Sequence, residues 1–353
     1  MFVIEAWQMD RHGAPLVHRD LPLPELRRGE ALISVAGCGL SHTDLAMLDG
    51  QLNPVSELPL TLGHAISGRV VQAPGNEQLI GKDVIVPAVL PCGRCELCRS
   101  GHGTACRRHR MHGRHLPGGF ASHVVTSARY LCPANVTASD QELWELSVVA
   151  EAVATPYSAM RRAAVGEGDV VIVVGVGALG IYGVQIAGAL GAHVIAIDVD
   201  PKRLERLRRY GAYASIDARG KSPEQIREAI RALTRTLGLP VDRWKVFEMS
   251  GTRAGQQTAY KLLTRGGTLF VVGYSLQTSD LPLGQLIALD ATLYGNRGCH
   301  PDYYPEALEL VLTGYVQLKP FIEGYALNEI NAVVEKARAH QLKRCAILVP
   351  TPA

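Results

Sequence analysis

Along the first ~150 residues apolar and polar positions come in short alternating runs, the spacing of half-buried strands. Val3–Met9, Glu30–Val35, Gly68–Gln72, Asp83–Val89 and Phe120–Thr126 each read as a strand between Gly, Pro and polar residues. No long amphipathic helix stands among them, so this part predicts a compact, mostly β domain. Near residue 165 the pattern changes. Asp169–Val174 is a continuous β-branched run, Ile181–Gly191 reads as a helix, His193–Asp198 as a second apolar strand and Pro201–Tyr210 as a charged helix. Strands at Tyr213–Asp217, Lys245–Met249, Thr268–Gly273 and Ala291–Gly295, with a helix over Ser222–Gly238, continue the alternation. Strands apolar on both faces, alternating with helices, predict an α/β, doubly wound parallel sheet wrapped by helices. Helices at Tyr304–Thr313 and Leu327–His340 and a strand at Ala346–Pro350 close the chain.

Composition narrows the class. The 353 residues suit two domains, which we place at 1–155 with 297–353, and at 156–296. Apolar residues at 47% and charged residues at 20% suit a soluble globular protein. No apolar run reaches the ~18 residues of a membrane span. The start has neither a basic leader nor a cleavage site, so no signal peptide is expected and the compartment reads as cytoplasmic. A net charge of +3 is too mild to imply nucleic acid.

The first β–α turn of the second domain is Gly175-Val176-Gly177-Ala178-Leu179-Gly180, directly after a strand and opening a helix, with Asp198 ending the next strand. Gly175 allows the tight turn, Gly177 lets the backbone approach a pyrophosphate, and Gly180 lets helix and strand pack closely. The helix N-terminus supplies free N–H groups for the phosphates. A carboxylate at Asp198 suits ribose hydroxyls and repels a 2′-phosphate, which favours NAD over NADP. Arg203 is placed to lean over the adenosine. A plain turn without ligand is the bland alternative.

Cys92, Cys95, Cys98 and Cys106 are spaced C-x2-C-x2-C-x7-C. Four thiolates so close suit a closed, structural zinc at about 91–115. An iron–sulfur cluster also takes four cysteines, although the usual Cys-Pro is missing here. The run 107–115 then carries four arginines and three histidines. It reads as a solvated loop, or as a docking surface for a phosphorylated substrate handle such as coenzyme A, or for an acidic carrier protein.

These motifs, with Gly63-His64 and the stretches AGCGLSHTDL (36–45), LGHAISGRVVQA (62–73), GGFASHVV (118–125), SGTRAGQQTAY (250–260) and GNRGCHPDYYPEALELVLTG (295–314), resemble the zinc-containing medium-chain alcohol dehydrogenases over the whole chain. The resemblance implies a GroES-like catalytic domain beside the Rossmann domain. It implies NAD-dependent interconversion of hydroxyl and ketone on a small, cyclic or conjugated substrate, with a CoA thioester as one form. It implies a catalytic zinc held by the Cys of C-H-T-D, the His of G-H-E and a later acid or Cys. Here those positions read Ser41-His42-Thr43-Asp44, Gly63-His64-Ala65 and Glu151. Only His64 and Glu151 keep ligand chemistry, so no catalytic zinc is expected to be held natively. Cys38 corresponds to a cysteine that does not ligate in the family.

By the same resemblance Asp44 orients His64, Thr43 is the proton-relay hydroxyl, and His42 sits by the pyrophosphate. Thr155, Ser250, Val272, Gly273, Tyr274, Asn296, Arg297 and Gly298 line the cofactor, in a cleft between the domains. Without zinc, Ser41 and Thr43 would hydrogen-bond the reacting oxygen. Two alternatives stay open: conjugate reduction of an enone or enoyl thioester, and an NAD-binding protein without catalysis. Asp290–Arg297 resembles the edge strand that pairs across a two-fold axis, so a homodimer or homotetramer is expected.

Overall fold

The structure is a computed structural model that describes residues 3–136 and 140–351. Backbone contacts divide the chain into two units. One is Met1–Ala154 with Gly298–Thr313 and Leu318–Ala353; the other is Thr155–Arg297 with Gly314–Gln317. Among the described residues no helix is long and apolar enough to cross a membrane.

In the first unit Val3–Met9 pairs antiparallel with Val17–Pro22 and with Leu60–Thr61. A larger sheet runs Ile322–Ala326, Cys345–Val349, Glu30–Gly39, Ala65–Gln72, Asp83–Val86, Cys132–Pro133, with His123–Ser127 also on Glu30–Gly39. Glu30–Gly39 continues past the predicted Val35 because pairing fixes it on both sides. Cys38 faces Ile66 on one neighbour and Leu348 on the other. Gly68 is required by close approach: a Cβ there would lie 2.2 Å from the Ser34 carbonyl oxygen. Asp83–Val86 stops three residues short of the predicted end, where Pro87 removes a ladder donor. The predicted Phe120–Thr126 strand begins only at His123, since Phe120 is taken up by Trp7 and Leu62. Met9, Ile33, Cys38, Ile66, Val86, Phe120, Val333 and Leu348 belong to one buried cluster between these layers.

In the second unit six parallel strands lie in the order Ala214–Asp217, His193–Asp198, Val170–Val174, Lys245–Glu248, Thr268–Val271, Thr292–Gly295. This is the strand order of the doubly wound dinucleotide fold, with its reversal beside Val170–Val174. Val170–Val174 is buried at every position, which is why its sequence shows no alternation. The helix Pro223–Thr236 starts on a reciprocal cap between Ser222 and Gln225, with Pro223 in the first turn, and buries Ile226 and Ile230. The helix predicted over Pro201–Tyr210 ends at Leu207, four residues before the left-handed Gly211.

Candidate active site, dinucleotide turn and thiolate lobe

Gly175 has φ +88°, and a Cβ there would meet the Ser250 backbone at 2.6 Å. At Gly180 a Cβ would lie 1.9 Å from the Gly175 carbonyl oxygen, so helix and turn pack at glycine distance. At Gly177 nothing stands within 4 Å of an added Cβ. That open space lies at the start of the helix Ala178–Ala189, whose first turn receives no side-chain cap. The free N–H groups and the space above Gly177 fit a dinucleotide pyrophosphate.

Asp198 accepts from the Val176 N–H at 2.7 Å and, through its other oxygen, from Asp200 N–H at 2.8 Å. Each oxygen keeps a second lone pair for a ribose hydroxyl. Arg203 lies in the next helix with its Nε 3.5 Å from Asp200. Thr155 and Asn296 meet where the Asn296 amide donates to the Thr155 carbonyl at 3.2 Å. The N–H groups of Val272 and Gly273 both donate to the Glu248 carbonyl, and Tyr274 is exposed. Arg297 ends the main segment of this unit, whereas Gly298 and His42 belong to the first unit.

Sequence reasoning missed Glu248. It is fully buried at the end of its strand and accepts from Ser250 N at 2.8 Å, Ser250 Oγ at 2.5 Å and Gly251 N at 3.0 Å. Burial raises its pKa. The signal was a lone carboxylate closing the apolar run Val246-Phe247.

In the first unit Ser41 is the N-cap of the helix His42–Leu48. Its Oγ accepts from Thr43 N at 3.1 Å and Asp44 N at 3.4 Å and donates to Asp44 Oδ2 at 2.9 Å, while Ser41 N donates to the same oxygen at 3.0 Å. The buried Asp44 also accepts from Gly63 N at 3.1 Å through Oδ1, which lies 3.7 Å from His64 Nδ1. His64 is fully buried, and its Nε2 approaches Glu151 Oε1 at 3.1 Å. Neither ring nitrogen makes a well-formed hydrogen bond. Burial alone would lower the His64 pKa; the carboxylates of Glu151 and Asp44 outweigh it and raise the pKa well above the ordinary value.

A catalytic zinc takes three protein ligands and an open position. Here His64 and Glu151 converge, and the third place holds a hydroxyl already engaged as a helix cap. The buried Cys38 packs against Gly63 and Gly119 and its thiol pKa is pushed up, chiefly by burial. This donor set does not fit a catalytic zinc.

The other cluster does fit a metal. The sulfurs of Cys92, Cys95, Cys98 and Cys106 lie within 4.8 Å of one another, the one such group among the described residues. Contacts of 3.4, 3.7 and 3.9 Å match the edge of about 3.8 Å that a tetrahedral zinc with Zn–S of about 2.3 Å requires. Backbone N–H groups, that of Arg94 first, bring the Cys92 thiol down to about 6.

The following loop is not solvated throughout. His112 is fully buried, held between the Pro117 carbonyl at 2.7 Å and Thr126 Oγ1 at 2.9 Å, and burial lowers its pKa to about 4. His112 is therefore a neutral core residue inside a basic run.

Two families match the chain: the alcohol dehydrogenase GroES-like domain over residues 27–136 and the zinc-binding dehydrogenases over 178–313. An alcohol dehydrogenase of Rhizobium meliloti is 30% identical over 329 residues, 92% of each chain. An alcohol dehydrogenase of Geobacillus stearothermophilus is 29% identical, over 90% of this chain and 91% of that one. The crystal structure of the Aeropyrum pernix alcohol dehydrogenase covers 98% of this chain and 100% of its own, with 30% identity and a TM-score of 0.84. The chain belongs to the zinc-binding medium-chain alcohol dehydrogenase family, a GroES-like domain joined to a Rossmann domain. It is an oxidoreductase of the type that acts on hydroxyl groups.

Proposed function

We propose that this dehydrogenase uses NAD to interconvert a hydroxyl and a ketone on a cyclic or conjugated substrate, with one structural zinc per subunit and no catalytic zinc. The observation that carries the cofactor choice is Asp198, a carboxylate fastened to the phosphate turn at Val176, where a 2′-phosphate would meet its negative charge. NAD, when bound, accepts or returns hydride at nicotinamide C4. The parallel-sheet unit supplies that carrier, and the mostly-β unit supplies the groups that meet the substrate oxygen. Ser41 directs its proton at Asp44, so Thr43, half-buried two residues on, is the hydroxyl left to donate to that oxygen. The His64–Glu151 ion pair, in the same unit, is the second group able to exchange a proton with the substrate.

The substrate we favour is a CoA thioester such as 6-hydroxycyclohex-1-ene-1-carbonyl-CoA, because the quoted stretches resemble the dehydrogenase of that compound. A homodimer, or a pair of dimers, fits the edge strand Thr292–Gly295 and the outward Leu283 and Ile287, which is 85% exposed. The donor set around His64 favours a second reading. Conjugate reduction of an enone or enoyl thioester spreads charge within the substrate and needs less electrophilic help. Absorbance of NADH during incubation with cyclic hydroxyacyl- and enoyl-CoAs separates the two. Oxidation of the alcohol supports the first and reduction of the alkene the second; cofactor binding without turnover of either overturns both.

A further inference from the structure

The lobe at 91–115 carries six arginines against one glutamate, an excess of five charges in a chain whose whole net charge is +3. The lobe is therefore a strongly positive segment. Four of the arginines, Arg107, Arg108, Arg110 and Arg114, stand on the loop after Cys106, and no acceptor or carboxylate among the described residues pairs with their side chains. The first three are exposed. Arg114 is half-buried, and its Nε is shut off from solvent without an acceptor. A guanidinium nitrogen withdrawn from water and left unpaired costs stability unless an anion supplies the missing acceptor.

The loop is also fixed and placed. Arg110 exchanges backbone hydrogen bonds with Leu90 at 2.8 and 2.9 Å. The Arg114 carbonyl accepts from Val55 and Ser56, and Ser56 Oγ donates to the His115 carbonyl at 2.9 Å. Gly113 packs so closely that a Cβ there would lie 2.8 Å from Gly63 N, one residue before His64. The backbone that carries these forked donors is thus anchored, and at Gly113 it lies against Gly63, next to His64, within the same unit.

We propose that Arg107, Arg108, Arg110 and Arg114 bind a phosphate-bearing handle of the substrate and so determine specificity. This rests on the alcohol-oxidoreductase reading above and names its substrate class: a hydroxy compound carrying phosphate esters. Such phosphate comes from a nucleotide thioester or from a phosphorylated polyol, and the two sources share the chemistry the arginines read.

The test is calorimetric binding to the zinc-loaded protein saturated with NAD, which keeps adenine-bearing probes out of the dinucleotide site. The probes are coenzyme A against pantetheine, and a hexitol phosphate against the free hexitol. Wild type is expected to bind one phosphorylated probe at least tenfold more tightly than its phosphate-free partner, and which one identifies the source. Arg107→Ala/Arg108→Ala/Arg110→Ala should lose that tenfold preference, and Arg114→Gln part of it, with NAD affinity unchanged. Raising salt should weaken wild type and leave the triple variant flat. The triple Lys variant keeps the charge and controls for folding; it should retain most of the preference. Equal affinity for phosphorylated and plain probes, or an unchanged preference in the triple Ala variant, overturns the proposal. Tight phosphate-dependent binding without hydride transfer to or from any hydroxy compound leaves the anion site standing and removes the reading it rests on.

Discussion

Ser41→Cys puts the account of the substrate site at risk most directly, because it supplies the one donor that His64 and Glu151 lack. Without metal the change weakens a cap. The Ser41 hydroxyl accepts two backbone N–H groups and donates to Asp44, and loss of such an N-cap costs about 1 kcal/mol. With metal, a ligand present at a hundred times its Kd stabilises the fold by about 2.7 kcal/mol. The variant should therefore melt below wild type in chelator and above it in excess zinc, a crossover of sign that a purely structural substitution does not give. Metal content after desalting should read about one zinc per subunit in wild type and about two in the variant, the added site having three protein ligands. The assay is elemental analysis paired with thermal unfolding in both buffers. Wild type already holding two, or a variant that stays at one with no crossover, would refute the reasoning.

Four further outcomes are expected. Gly180→Ala drives a Cβ to 1.9 Å from the Gly175 carbonyl, so it should destabilise the second unit by ~3 kcal/mol and weaken NAD binding, seen in urea titration with and without cofactor. Asp198→Asn should raise KM for NAD about tenfold, or ~1.4 kcal/mol, and narrow the NAD-over-NADP ratio, measured by steady-state kinetics. Cys106→Ser should lose the structural zinc and lower the melting temperature, and added zinc should not restore it. His112 has a folded pKa of about 4, below its unfolded 6.5, so the neutral ring stabilises the fold above 6.5 and that contribution falls away as pH drops toward 4. The loss amounts to ~3 kcal/mol, and His112→Gln should flatten the stability–pH curve over that window.

What could be read from sequence follows physical lines. Val170–Val174 announced itself because a strand covered on both faces is apolar at every position. The glycine turn and the four cysteines were legible because their chemistry depends on spacing within a few residues. Val17–Pro22 was not, since every position on it is exposed or half-exposed and no alternation results. The helix His42–Leu48 was hidden inside residues read for their family chemistry, and its cap is the same Ser41 assigned to the substrate. Arg253–Lys261 was quoted as a family motif and not as a helix, although Thr252 accepts from Gly255 N in the ordinary capping manner. His112 vanished into a run of arginines because composition averages over burial.

Three buried acids show why chemistry named from sequence needs the backbone beside it. Asp44 holds the N–H groups of Ser41 and Gly63, Asp198 those of Val176 and Asp200, and Glu248 those of Ser250 and Gly251. Each fastens a loop on which a candidate site residue sits. An alanine at any of them would leave two buried or part-buried backbone donors without their acceptor, at up to about 1–3 kcal/mol apiece, before any ligand is considered. Lost activity in such variants therefore cannot be assigned to lost chemistry. The amide variants divide the two roles: Asp44→Asn and Asp198→Asn each keep one carbonyl acceptor for the backbone and remove the charge. If Asp198→Asn stays as stable as wild type and still loses NAD preference, the carboxylate acts on the ribose. If it loses stability in proportion, the residue works through Val176 and the turn.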